Sequence, residues 1–303
     1  MQYLQWIIKG MAMGAADVVP GVSGGTLAFI LGIYERLLAA ISGINLTALR
    51  LFSRGQWRAF WQQIDGSFLC CLVGGILLSI FSLATLISWL LEYRPVPLWA
   101  FFNGLILAAL PPLFKVVKWS LPRVGLFGIG ILVALSMGLL TPVSFTPELW
   151  MFFVAGAVAI CAMILPGISG SFILLIVGMY APVILAVKEL DIAILFLFAS
   201  GCVVGILSFS RFLNWLLKHY HDASVAFLTG IVVGSVYKMW PWRDENVIYT
   251  PAGFAEKFGQ HDLMLSVISF IAAVFVMLAL LNLEKILGGS ASPDKRTAAS
   301  NKE

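Results

Sequence analysis

Residues Ala16 to Thr26 read ADVVPGVSGGT and sit inside an otherwise apolar run. An acid, a proline, three glycines, a serine and a threonine interrupt what would be one long membrane helix. Proline removes an intrahelical hydrogen bond and clashes with the preceding turn, and glycine lets the chain reverse sharply. The stretch Ile164 to Phe172, ILPGISGSF, does nearly the same later in the chain. Backbone groups freed in hydrocarbon cost several kcal/mol each unless protein or water satisfies them. Two such breaks must therefore be buried in protein or line a wet cavity.

The surroundings make this a membrane problem. The chain of 303 residues is 60% hydrophobic and only 11% charged, against roughly a quarter charged in soluble domains. Several apolar runs exceed the ~18 residues of a membrane span. An all-α polytopic membrane protein is expected, with a retained N-terminus. Cys70, Cys71, Cys161 and Cys202 lie in apolar stretches without CxxC spacing and read as small buried hydrophobes. His219, His221 and His261 fall in polar loops with no metal-binding pattern. No metal, no cofactor and no nucleic-acid partner is expected, and the oligomeric state is open.

Apolar stretches at 1–18 and 24–42 flank the first break, and 149–165 and 171–187 flank the second. Spans are expected at 67–91, 97–114, 124–140, 192–217, 223–240 and 263–287. The polar stretch 288–303 reads as a disordered cytoplasmic tail.

The two breaks belong to an internal repeat. Gly10 to Ile41 aligns without gaps on Gly156 to Val187, with Pro20/Pro166, Gly21/Gly167, Ser23/Ser169, Gly24/Gly170, Gly32/Gly178 and Tyr34/Tyr180 identical. Gly74 to Ser79 then resembles Val204 to Phe209, and Ala100 to Ala108 resembles Ala226 to Gly234. One membrane domain over 1–287 follows: repeat one at 1–115, a linking span at 124–140, repeat two at 149–240, and a final span at 263–287.

Charge sets the expected orientation. If each broken pair is a hairpin that enters and leaves on one side, that side holds Lys9, Arg36, the Arg50/Arg54/Arg58 group, the Lys115/Lys118/Arg123 group, Arg211, Lys218, Lys285 and the tail. The other holds only Arg94, Lys188, Lys238, Arg243 and Lys257. Such a bias marks the first side as cytoplasmic, with both termini inside. Six spans and two re-entrant hairpins result. The second repeat then starts from the opposite face, so the repeats are inverted, as in secondary transporters.

Each tip exposes the start of a half-helix, beginning near Gly24 or Gly170, where free N–H groups favour an anion. Ser23, Gly24, Gly25 and Thr26 in one tip, with Ser169, Gly170 and Ser171 in the other, form a candidate anion site. A side chain at Gly24 or Gly170 is expected to fill the anion's place. Pro20, Gly21, Pro166 and Gly167 make the breaks. Asp17, whose repeat counterpart is Met163, is a functional candidate as an acid inside an apolar segment. It either holds a coupling proton or cation, sodium included, or caps the tip by accepting backbone N–H groups. Glu35 and Arg36 read as an interfacial pair or as coupling and anion-binding groups. Arg211 lies inside its span and either snorkels or binds the anion. Asn103 and Thr229 are expected to bond across helices, and the tryptophans at segment ends to form an interfacial belt.

The paired motifs ADVVPGVSGGT and LPGISGSFILLIVGMY resemble the PopT-type undecaprenyl-phosphate translocase family, a bacterial membrane family formerly a domain of unknown function. The resemblance covers about 1–287. It implies return of a polyprenyl-phosphate carrier lipid across the cytoplasmic membrane for cell-wall synthesis, and no enzymatic activity. A second resemblance is to undecaprenyl-diphosphate phosphatases, which share inverted hairpins. The arginine position of their PGxSRS-type motif is Gly24 or Gly170 here, and their paired glutamates have no match, since Glu35 stands alone. Phosphoryl transfer needs concentrated positive charge and a positioned base or nucleophile, so passage is expected rather than hydrolysis. An ion-coupled small-anion carrier remains the further alternative.

Overall fold

The computed structural model describes residues 2–19, 22–138, 140, 147–244, 247–259 and 262–283. Pro20, Gly21, His261, the tail at 288–303 and most of the loop Thr141 to Glu148 therefore lie outside the described residues.

The architecture is all-α but for one two-residue hairpin, β1 (Arg243–Asp244) with β2 (Val247–Ile248). The chain opens with α1 (Gln2–Asp17), α2 (Gly24–Ile30), α3 (Tyr34–Ser42), α4 (Leu46–Ser53), α5 (Trp57–Gln63), α6 (Gly66–Tyr93) and α7 (Pro95–Val116). Next is α8 (Leu121–Gly138). Then come α9 (Leu149–Ile164), α10 (Gly170–Ile176), α11 (Tyr180–Glu189), α12 (Ile192–His219), α13 (His221–Ser235) with a 3-10 turn at Val236–Met239, α14 (Pro251–Phe258) and α15 (Leu263–Leu281). Among the described residues five helices are long and apolar enough to cross a membrane, or up to seven if each bent pair is one span.

Four helix pairs carry most of the packing: α1 on α6, α9 on α12, α7 on α15 and α8 on α13. With no hydrophobic drive between helices in lipid, small residues let backbones close in. A Cβ at Gly10 would lie 2.3 Å from the Leu72 carbonyl oxygen of α6. One at Gly156, its counterpart in the repeat, would lie 2.2 Å from the Phe198 oxygen of α12.

The second limb of each broken pair departs from the expected continuous stretch. The chain bends by 115° between α2 and α3 and by 108° between α10 and α11. Gly32 and Gly178 make these corners at φ +70 and +72, a region closed to most side chains. Each half-helix at a tip is thus only seven residues long. The stretch 45–66 between α3 and α6 carries the helices α4 and α5. Asn45 caps α4 by accepting the Thr47 and Ala48 N–H groups. Leu46, Leu49, Phe52 and Trp57 are exposed along α4 and α5, as suits helices lying at a membrane surface.

Lys9 does not stand at a membrane face among exposed charges, as its place in the charge count implied. It is 6% exposed on α1, and its ammonium donates to the Leu31 carbonyl at 3.1 Å. A buried ammonium needs such acceptors, and the α2–α3 corner leaves carbonyls free to supply one.

Candidate functional site: two tips in contact

The first tip is held by its own side chains. Ser23 takes the N-cap conformation, with φ −126 and ψ 131, and its Oγ accepts the Gly25 N–H. Asp17 Oδ1, at the end of α1, accepts the Gly24 N–H at 2.7 Å. The Thr26 N–H goes to the Ser23 carbonyl at 2.9 Å. The donors that open the half-helix are therefore met internally, and one of the acceptors is an acid.

The second tip repeats the backbone but not this chemistry. Ser169 has N-cap dihedrals of φ −102 and ψ 128, yet its side chain makes no cap bond. Its hydroxyl instead pairs with that of Ser171 at 2.9 Å. Ser171 is exposed. Met163 occupies the position that Asp17 holds in the first copy. The correspondence is spatial too: a Cβ on Gly170 would lie 3.4 Å from Met163 Cβ, and one on Gly24 would lie 2.5 Å from Asp17 Oδ2.

The tips touch. Ser23 Oγ donates to the Met163 carbonyl at 3.1 Å. Gly167 N–H donates to Thr26 Oγ1 at 2.7 Å. Both hydroxyls are buried, so these bonds form in a low-dielectric setting where losing a partner is costly. Gly167, at φ +83, lies close against α13, for a Cβ there would come within 3.0 Å of the Ile231 carbonyl. Pro166 is buried at the same turn.

Glycine has a different part here from the one expected. A side chain at Gly24 would meet the Asp17 carboxylate, and one at Gly170 would meet the Ala159 carbonyl at 2.6 Å. Neither position opens onto space for an anion. These glycines allow the helices of each hairpin to approach.

The remaining candidates lie elsewhere. Arg36 forms a two-point pair with Asp65, with Nε to Oδ2 at 2.6 Å. Its guanidinium also stacks over Trp6 and Phe68, 4.3 and 4.6 Å from the ring centroids. Arg211 donates to the Ile44 carbonyl at 2.7 Å, and nearby Asn214 bonds Ser42 Oγ, so together they fasten the end of α3 to α12. Glu35 meets His221 at 2.9 Å, His221 also contacts Asp222, and Asp222 pairs with Arg123 at 3.0 Å. Asn103 bonds the Met239 carbonyl across elements as expected, but the Thr229 hydroxyl is buried without a partner among the described residues.

Lys238 is the cation that sequence reasoning passed over. It sits on the 3-10 turn after α13, with Nζ 3.7 Å from the ring centroid of Phe172 in the first turn of α10. In sequence it was one more outer-face lysine, and nothing in its own neighbourhood signals a residue so far back in the chain. No group of three or more metal-ligating residues occurs among the described residues.

Comparison with known proteins gives a family and two relatives. The model of an undecaprenyl phosphate translocase-like family matches residues 13–255. The chain is 49% identical over 245 residues to a polyprenyl-phosphate transporter of Vibrio cholerae serotype O1, covering 80% of each chain. It is 36% identical over 270 residues to a polyprenyl-phosphate transporter of Staphylococcus aureus, covering 82% of this chain and 90% of that one. No solved structure matches significantly.

Proposed function

The chain belongs to the undecaprenyl phosphate translocase-like family, and on that footing we propose that it carries undecaprenyl phosphate, or a similar polyprenyl phosphate, across the bacterial cytoplasmic membrane. It is a multi-pass transporter, not an enzyme, and serves recycling of the carrier lipid. Two relatives that bear the name polyprenyl-phosphate transporter support this.

The observation that carries the site is the difference between the tips. The first tip contains its own carboxylate. The second places the paired Ser169 and Ser171 hydroxyls, one of them exposed, where no acid stands. An incoming phosphate is repelled by the first arrangement and accepted by the second. The half-helices are two turns long, so their dipoles supply little, typically ~0.3–1 kcal/mol each. Direct bonds to a charged group, worth about 1.5–3 kcal/mol apiece, must do more, and a cation must help. We assign Ser169 and Ser171 to the head group, with Gly170 holding their half-helix against α9 and Ser23, Gly24, Gly25 and Thr26 as the wall against which the second tip rests. Asp17 acts first as a cap, and Glu35, Arg36 and Arg211 secure the cytoplasmic end of the first repeat.

The pairing of helices supports inverted repeats. With the short helices α4, α5 and α14 set aside, α8 and α15 are the sixth elements of the two repeats, and each packs on the fifth of the other, α13 and α7. Both termini then face the cytoplasm, and rocking of the halves exposes the tips to each side in turn. The isoprenoid tail stays in lipid while the head crosses.

The test is reconstitution. Purified protein in liposomes should expose inner-leaflet labelled polyprenyl phosphate to an impermeant phosphatase faster than protein-free liposomes do. Absence of transport, or release of phosphate from polyprenyl diphosphate by the protein itself, would overturn the reading.

A further inference from the structure

We propose that Lys238 is the cation that receives the substrate phosphate at the second tip. The proposal rests on the polyprenyl-phosphate reading above and names a group that reading lacks.

Three observations place Lys238 in this role. First, its ammonium stands over Phe172, the residue that follows the exposed Ser171 on α10. The ammonium thus stands against a residue of the helix turn that also carries the hydroxyl pair. Second, the ammonium has no carboxylate and no hydrogen-bond acceptor among the described residues, although Lys238 is half-buried. A cation over a ring gains something, but no described protein group accepts a hydrogen bond from the ammonium, and a half-buried charge gains from such a partner. The other cations weighed for the anion behave differently, since Arg36 is paired with Asp65 and Arg211 with the Ile44 carbonyl. Third, the turn carrying Lys238 is secured. Arg243 donates to the Lys238 carbonyl at 2.6 Å, and Asn103 of α7 donates to the next carbonyl, that of Met239. The preceding helix, α13, lies directly against Gly167 of the tip.

The chemistry follows. A phosphate monoester offers several oxygens as acceptors. One meeting Lys238, Ser169 and Ser171 would accept from the ammonium and be neutralised in part as it leaves the outer head-group region. Phe172 orients the ammonium while the site is empty and is exchanged for the stronger ligand on binding.

The experiment uses full-length protein in liposomes with labelled polyprenyl phosphate. Lys238→Gln is expected to raise the apparent KM for the lipid about tenfold, the loss of one charge-assisted bond, with thermal stability unchanged. Lys238→Arg should stay within about threefold of wild type, because it keeps charge and donors. A Lys238→Cys variant lacking the native cysteines separates charge from shape. Modification with a cationic aminoethyl thiosulfonate should restore transport, an anionic sulfonatoethyl reagent should not, and farnesyl phosphate, unlike farnesol, should protect the thiol. If wild type transports and Lys238→Gln matches its KM, or if both reagents restore Lys238→Cys equally, the proposal is wrong while the transport reading stands. If wild type moves no lipid phosphate, it is the transport reading that has failed.

Discussion

Lys9 and Asp17 lie on the same helix and hold opposite ends of α2: the Lys9 ammonium donates to the Leu31 carbonyl at 3.1 Å, and the Asp17 carboxylate accepts the Gly24 N–H at 2.7 Å. Each charge opposes the partial charge of the helix end it meets. A seven-residue helix has little stability of its own, so these bonds define its place. The second repeat has Ala155 and Met163 at the corresponding positions, and α10 lacks both clamps.

The clamp distinguishes capping from coupling at Asp17. Asn retains an oxygen for the Gly24 N–H, so Asp17→Asn should transport with an unchanged pH profile. Asp17→Ala leaves that donor bare and should lose about 1.5–3 kcal/mol of stability, read from unfolding in detergent. A pH profile displaced by Asp17→Asn would instead make Asp17 the coupling group.

Lys9 yields a companion prediction. Lys9→Met keeps most of the apolar stem but leaves the Leu31 carbonyl without this donor, and should cost about 1–3 kcal/mol. Combined with Asp17→Ala, the losses should not add, because either change already frees α2. Strict additivity in a double-mutant cycle would show that the two ends are independent.

Glycine and serine substitutions at the tips should part ways. Gly24→Ala and Gly170→Ala drive a methyl into Asp17 and into the Ala159 carbonyl, at 2.5 and 2.6 Å. Both should lower the yield of folded protein. Ser171→Ala, at an exposed hydroxyl, should leave the melting temperature intact and slow transport about three- to tenfold, the value of one hydrogen bond. Equal transport by Ser171→Ala and wild type would remove the second tip from the binding site.

Orientation is checked with single cysteines on a background lacking the native four. Arg54→Cys on the α4–α5 segment should resist an impermeant thiol reagent in intact cells, and Glu256→Cys on α14 should react. Both positions are exposed. Labelling of Arg54→Cys from outside would invert or break the proposed topology.

Much of this was legible in the chain, and the reasons for the rest are physical. Pro166 and Gly167 announce their break because each removes or frees backbone in a way no apolar residue does. The corners at Gly32 and Gly178 sit in uninterrupted apolar sequence. Their identity in both copies was visible, but a lone glycine does not reveal a positive φ. Arg36 reads in sequence as the partner of its neighbour Glu35, whereas Asp65, which it meets, lies 29 residues on and is brought close only by α4 and α5. Lys9 looked like an interfacial charge because its acceptor is a carbonyl, which no side-chain pattern betrays. Lys238 was hidden for a similar reason, since its neighbour Phe172 is apolar.

The asymmetry between Asp17 and Met163 has one more consequence. An acid built into a tip is a tethered rival of the substrate, present at a concentration fixed by the fold rather than by the membrane. On the proposed reading the first tip carries such a rival in Asp17, bonded to the Gly24 N–H. Met163→Asp should install one in the second repeat as well, giving a protein that folds, inserts and stays occupied by itself. On the proposed reading, the two copies thus differ: one occupies itself and the other receives the cargo.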